Sequence, residues 1–138
     1  LVRRFCGSCV TSRPARPDEV DELLADYMHA LRSVEGAPSE DAVLADWRRR
    51  FGRDGQLLVH EAKGCAKCDD SGFRGRAGVH ELMHMTPVIR HLVQTGGRSE
   101  EIQHAALAAG LRTLRQDGIE KVWAGVTSIG EVRATTNA

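Results

Sequence analysis

The sequence predicts an α+β fold, mainly α-helical: a small zinc-bound β-hairpin module carrying an inserted helical hairpin, followed by a C-terminal helical bundle. Three observations carry this. All four cysteines fall into two short-spaced pairs, Cys6-Gly7-Ser8-Cys9 and Cys65-Ala66-Lys67-Cys68, each bordered by strand-like residues. Between the pairs, apolar residues recur at helical spacing. After them, a series of cap signals marks further helices to the end of the chain.

The cysteine pairs come first because they constrain everything else. Zn²⁺ takes four soft thiolates at about 2.3 Å in a tetrahedron, and a C-x-x-C turn aims both of its sulfurs at one ion, so each pair supplies half a site. Cys6, Cys9, Cys65 and Cys68 are therefore the expected ligands of one structural zinc. Free buried thiols, a disulfide framework and a redox pair are the alternatives; disulfides suit distant positions in small secreted domains, and a thioredoxin-type centre needs one pair rather than two. His60, His80 and His84 fall close enough in sequence to replace a thiolate or to act as outer donors. His29, His91 and His104 sit on expected helices as surface or boundary residues.

With 138 residues, 41% of them hydrophobic but only 4% aromatic, the chain can bury one modest and largely aliphatic core. Lys and Arg number 19 against 19 Asp and Glu, a balance that argues against a surface built for nucleic acid or anionic lipid. No apolar run approaches the roughly 18 residues of a membrane span, and no signal-peptide pattern opens the chain, so direct membrane insertion is not expected. Paired thiols fit the reducing cytoplasm. The sequence opens at Leu1 inside a strand-like run, Leu1–Phe5, and so reads as the interior of a longer protein.

Element by element, Pro14 and Pro17 mark a turn after the first pair, and Val20, Leu23, Leu24, Tyr27, Leu31 and Val34 then line a helix ending near Gly36. Ser39 caps a second helix with Val43, Leu44, Trp47 and Phe51 on one side and Gly52 at its end. This helical hairpin, at about 18–52, is an insert within a zinc-binding module spanning 1–85. Its Arg48, Arg49, Arg50 and, beyond it, Arg53 read as a solvated face, with a partner patch as the alternative. Gln56–Glu61 reads as a strand, and a second strand is expected from Ala77 toward His84, which puts the second cysteine pair at a hairpin tip. The remainder, 86–138, is a helical subdomain. Thr86-Pro87, Ser99-Glu100-Glu101 and Thr113 open helices, Gly110 and Gly125 close them, and Ser128 with Glu131 has capping-box spacing.

The chain holds no phosphate loop, no G-x-S-x-G elbow and no H-E-x-x-H helix, and a four-thiolate metal has no open position, so no catalytic residue is expected in it.

The runs Leu1–Cys9, Gly64–Cys68, Gly72–Leu82, Leu111–Val122 and Gly125–Val132 resemble the tetracysteine and closing segments of the type II secretion and type IV pilus assembly ATPases. The resemblance implies the zinc-binding C-terminal portion of a hexameric motor that hydrolyses ATP with Mg²⁺ at the cytoplasmic face of the bacterial inner membrane. It implies contacts with neighbouring subunits of the hexamer and with the inner-membrane platform protein, and it places the nucleotide-binding elements before Leu1. By matching positions, Cys6, Cys9, Cys65 and Cys68 take the zinc-ligand role. The stretch from Thr11 to Gly64 is longer than the family pattern leads one to expect. A free-standing zinc-ribbon adaptor for protein or nucleic acid is the competing reading.

Overall fold

The computed structural model describes residues 1–137. Its strands come in two flanking pairs. Val2–Phe5 (β1) and Val10–Pro14 (β2) lie on either side of the first cysteine turn, Leu58–Ala62 (β3) and Phe73–Ala77 (β4) on either side of the second. β1 pairs antiparallel with β4, placing Val2 opposite Ala77 and Phe5 opposite Phe73. β2 pairs antiparallel with β3, placing Val10 opposite Ala62 and Pro14 opposite Leu58. The β module is thus two ribbons with both cysteine turns lying between them.

The last strand lies earlier than the Ala77–His84 pattern placed it. Packing decides the matter. Phe5 stacks on Phe73 with ring centroids 5.5 Å apart, and the Arg3 guanidinium covers the same ring at 4.3 Å, so Phe73–Ala77 is held on β1. Residues 78–86 leave the ribbon and run on without regular pairing.

Pro17–Met28 (α1) opens with proline at its first position, and its N-terminus is closed by Glu19, whose carboxylate accepts from the Arg16 N–H at 2.9 Å. It stops earlier than Gly36. A 3-10 turn at His29–Leu31 follows, and Leu31 and Val34 continue the buried face. Glu40–Phe51 (α2) is capped as its sequence indicates, the Ser39 hydroxyl accepting from the Ala42 N–H at 3.2 Å. Pro87–Gln94 (α3) and Ser99–Ala108 (α4) follow, the latter ended by a Schellman turn in which the Leu111 N–H reaches the Ala106 carbonyl at 2.9 Å. Leu114–Trp123 (α5) starts with a reciprocal box between Thr113 and Gln116, and Ile129–Thr135 (α6) closes the described chain. Gly118 lets α5 and α6 touch: a Cβ there would lie 2.5 Å from Val132 Cγ1.

One hydrophobic core joins the helices of the insert to α4 and α5. It joins Leu23, Leu24 and Tyr27 of α1 and Val43 and Trp47 of α2 to Leu107, Ile119 and Trp123 of the C-terminal helices. Trp47 meets Tyr27 edge-on at 5.2 Å and lies 5.6 Å from Trp123. The sequence suggested a separable insert; the structure packs it into the core across the expected boundary at 85/86. The reason is economy of large side chains: a chain of this size supports one core, and its two tryptophans and its tyrosine, though far apart in sequence, bury most by packing on each other.

A buried carboxylate ties the same elements together. Glu120, 8% exposed, accepts from the Tyr27 hydroxyl at 3.2 Å, from Arg50 Nη2 at 2.6 Å and from Arg112 Nε at 2.7 Å. Burial beside this carboxylate pushes the Tyr27 phenol up to about 12, so it remains a donor. Arg50 turns its guanidinium to this carboxylate while the residue stays exposed, as do Arg48, Arg49 and Arg53, so the cluster forms the solvated face expected of it with one member also holding Glu120.

Candidate metal centre

Each cysteine turn is shaped by its own backbone. In the first, the Cys9 and Val10 N–H groups both donate to the Cys6 carbonyl, at 3.3 and 3.0 Å. In the second, Cys68 and Asp70 donate to the Cys65 carbonyl at 3.2 and 2.9 Å, and the Ser71 hydroxyl donates to the Cys68 carbonyl at 2.7 Å. The two turns are joined by Cys6 N–H donating to the Gly72 carbonyl at 2.9 Å. Tight reversal requires left-handed residues: Gly64 has φ +98° and a Cβ there would meet the Asp70 carbonyl oxygen at 2.5 Å, so only glycine fits. Asp69 and Asp70, which tolerate that region better than most, complete the turn at φ 51° and 58°.

The four sulfurs converge. All lie within 4.8 Å of one another, with Cys6–Cys65 at 3.8 Å, Cys9–Cys68 at 3.9 Å and Cys65–Cys68 at 3.7 Å. Four sulfurs about 2.3 Å from one ion form a tetrahedron with edges of about 3.8 Å, so the donor set fits zinc in both chemistry and spacing. All four cysteines are free rather than disulfide-linked, and these separations far exceed the roughly 2.05 Å of a disulfide. Cys6 and Cys68 are buried, Cys9 and Cys65 half-buried.

The local field differs from sulfur to sulfur. Burial pushes the Cys68 thiol up, but N–H donors from Cys65 at 3.2 Å and Gly72 at 3.3 Å aim at its sulfur and bring it down to about 6. The Ser8 backbone N–H likewise draws Cys6 down, whereas burial drives Cys9 up to about 12. Backbone donors thus favour thiolate at Cys6 and Cys68, and a divalent cation would supply the charge that holds Cys9 deprotonated.

The structure therefore brings together all four residues singled out from the sequence, and among the described residues the cluster holds these four alone. His60 lies on β3 against Gly125 rather than at the sulfurs, its Nδ1 buried without a hydrogen-bond partner among the described residues. Burial, with a smaller push from Arg53, lowers its pKa and favours the neutral ring. The His80 backbone N–H donates to Asp117 at 2.8 Å, and His84 is exposed in the unpaired segment.

Sequence reasoning missed the latch that fixes β1 beside the cysteine turns. Glu131, which has capping-box spacing to Ser128, turns its carboxylate to β1: Oε2 accepts from Arg3 N at 2.9 Å, and Oε1 from Arg3 Nη2 at 2.6 Å. The Thr127 hydroxyl donates to the Arg3 carbonyl at 2.7 Å, and Phe5 N–H donates to the Val126 carbonyl at 2.8 Å. The spacing revealed that Glu131 has a role near its helix start, but the partner lies 128 residues away.

Comparison with known proteins places this geometry. The family described as "Type II/IV secretion system protein" matches residues 1–134, a span that includes the helical insert, and the chain belongs to that family. It is 37% identical over 136 residues to the type IV pilus assembly ATPase PilB of Thermus thermophilus, covering 99% of this chain and 13% of that protein. It is 42% identical over 83 residues to the type II secretion system protein E of Dickeya dadantii, covering 59% of this chain and 16% of that protein. To the type II secretion system ATPase E of Vibrio cholerae it is 35% identical over 80 residues, covering 58% of this chain and 16% of that protein. The chain thus spans less than a fifth of the length of each of these relatives.

Proposed function

We propose that this chain is the non-catalytic, zinc-stapled C-terminal region of a motor ATPase that powers protein secretion or pilus assembly. The observation that carries the reading is the tetrahedral spacing of Cys6, Cys9, Cys65 and Cys68 within a chain matched along residues 1–134 to the secretion family. Zinc bound by four thiolates keeps no position open for water or substrate, so its contribution would be structural. It would clamp the β1–β2 segment to the β3–β4 segment, and with them the helices that each segment leads into. Cys6 and Cys68 supply buried thiolates, while the Cys65 and Gly72 N–H groups orient the Cys68 sulfur.

In the whole protein, ATP and Mg²⁺ would be bound outside these residues. The motor would act as a hexamer at the cytoplasmic face of the inner membrane, with this region contacting a neighbouring subunit or the membrane platform protein. The balanced charge of 19 basic against 19 acidic residues, and the family match, favour this over an adaptor for nucleic acid.

The test is hydrolysis. The purified chain is expected to turn over no ATP above the buffer blank, with zinc bound or after chelation, whereas the full-length gene product hydrolyses ATP. Hydrolysis by the 138-residue chain that disappears on chelation would overturn the non-catalytic reading.

A further inference from the structure

Most of this molecule is laced together by polar ties between elements distant in sequence. Arg115 Nη1 on α5 reaches Asp26 on α1 at 3.0 Å, Gln116 Nε2 donates to the Tyr27 carbonyl at 3.1 Å, and Arg3 holds Glu131. The α3–α4 hairpin lacks such ties. Among the described residues, every hydrogen bond and ion pair made by residues 87–109 stays inside the hairpin or ends on the flanking Thr86, Gly110 and Leu111.

Apolar burial is thin there too. α3 buries Ile89 fully but leaves Val88 and Val93 exposed, and Ile89 lies outside the common core. Leu107 is the one residue of the hairpin that joins that core. Two surface clefts undercut α4. One of about 450 Å³ lies beside His104 and Leu107 and reaches Arg32 and Arg115 of the body; the other, of about 420 Å³, lies beside Ile102 and Ala106 and reaches Glu81 and Leu111. Space in place of packed atoms forfeits dispersion contact along the seam. At the hairpin's base Gly110 takes φ +103°, with open space where a Cβ would stand.

Helices of 8 and 10 residues do not persist alone in water, where even about 12–15 residues are marginal, so for this hairpin detachment and melting coincide. We propose that residues 87–109 detach and melt as one cooperative unit while the cysteine ribbons, α1, α2, α5 and α6 stay folded. Opening withdraws Leu107 from the core and joins the two clefts that α4 separates. The hairpin is thus an order–disorder device built into the fold, working on the microsecond-to-second scale of local unfolding. The inference rests on contacts within this chain and is independent of the motor reading.

Native-state hydrogen exchange on the purified 138-residue chain, followed residue by residue by NMR, tests this. Helical amides of α3 and α4 are expected to share one opening equilibrium, on the order of 100-fold more populated than that of Gly118–Trp123 in α5, with a smaller denaturant slope. Val132→Ala trims a side chain packed on Gly118, away from the hairpin. It is expected to speed exchange in α5 about 10-fold and to leave α3 and α4 unchanged, because the hairpin opens without disturbing that contact. Hairpin amides as slow as those of α5 overturn the proposal, since the hairpin then opens only with the whole molecule. Different opening equilibria in α3 and α4 overturn it as well, and so does acceleration of the hairpin by Val132→Ala.

Discussion

Glu120 shows how a single side chain decides whether distant parts of this molecule cohere. It is buried, and it receives hydrogen bonds from α1, α2 and the turn before α5 through Tyr27, Arg50 and Arg112. Replacing it with Gln keeps the shape but leaves two partly solvated guanidinium groups facing a neutral amide, a loss of about 1 kcal/mol once solvent screening of the arginines is allowed for. Chemical denaturation of Glu120→Gln is expected to show a lower midpoint with an unchanged slope, and an unchanged midpoint would mean that solvent compensates the arginines. None of this was legible in the sequence. A lone Glu in Ile119-Glu120-Lys121 reads as helix surface, and only the fold brings Tyr27 and Arg50 to it across 93 and 70 residues.

At the scale of elements, the sequence was most informative where local chemistry acts alone. Ser39, Thr86, Thr113 and Ser128 each cap the helix their spacing indicated, because a hydroxyl and an N–H three residues on need nothing from the rest of the chain. Strand limits were less legible. Alternation extends past Ala77, but pairing depends on Phe5 and Arg3, which only the folded ribbon places against Phe73.

The junction between β2 and α1 carries a further prediction. Arg13 grips Glu19 with two bonds of 2.8 and 2.9 Å, and together with the Arg16 N–H this lowers the Glu19 carboxyl from 4.5 to about 2. Because the folded value lies below the unfolded one, the contribution is complete above about pH 4.5 and is lost as pH falls toward 2. The stability difference between wild type and Glu19→Gln is therefore expected to shrink across that window. A difference constant with pH would show that the pair contributes nothing to folding.

For the molecule as a whole, the convergence of four cysteines was legible because two short-spaced pairs suit one shared site, whereas the sharing of one core by the insert and the C-terminal helices was not. Helical periodicity shows that a face is apolar but never what covers it, and Tyr27, Trp47 and Trp123 meet only in the folded chain. Removing residues 18–52 and bridging the gap with a flexible linker strips Leu23, Tyr27, Val43 and Trp47 from that core. The remaining helices are expected to lose cooperative thermal unfolding, followed by near-ultraviolet dichroism of Trp123. Retention of a sharp transition would show that the C-terminal helices are stable without the insert.

On the proposed reading the two cysteine turns hold one tetrahedral zinc, which would fasten the ribbons on which α5 and α6 pack. X-ray absorption at the zinc edge, combined with metal analysis of the purified chain, tests it directly. The account predicts one zinc per chain with a shell of four sulfurs at about 2.3 Å. A well-folded sample with substoichiometric zinc, or a shell containing nitrogen or oxygen, would contradict it.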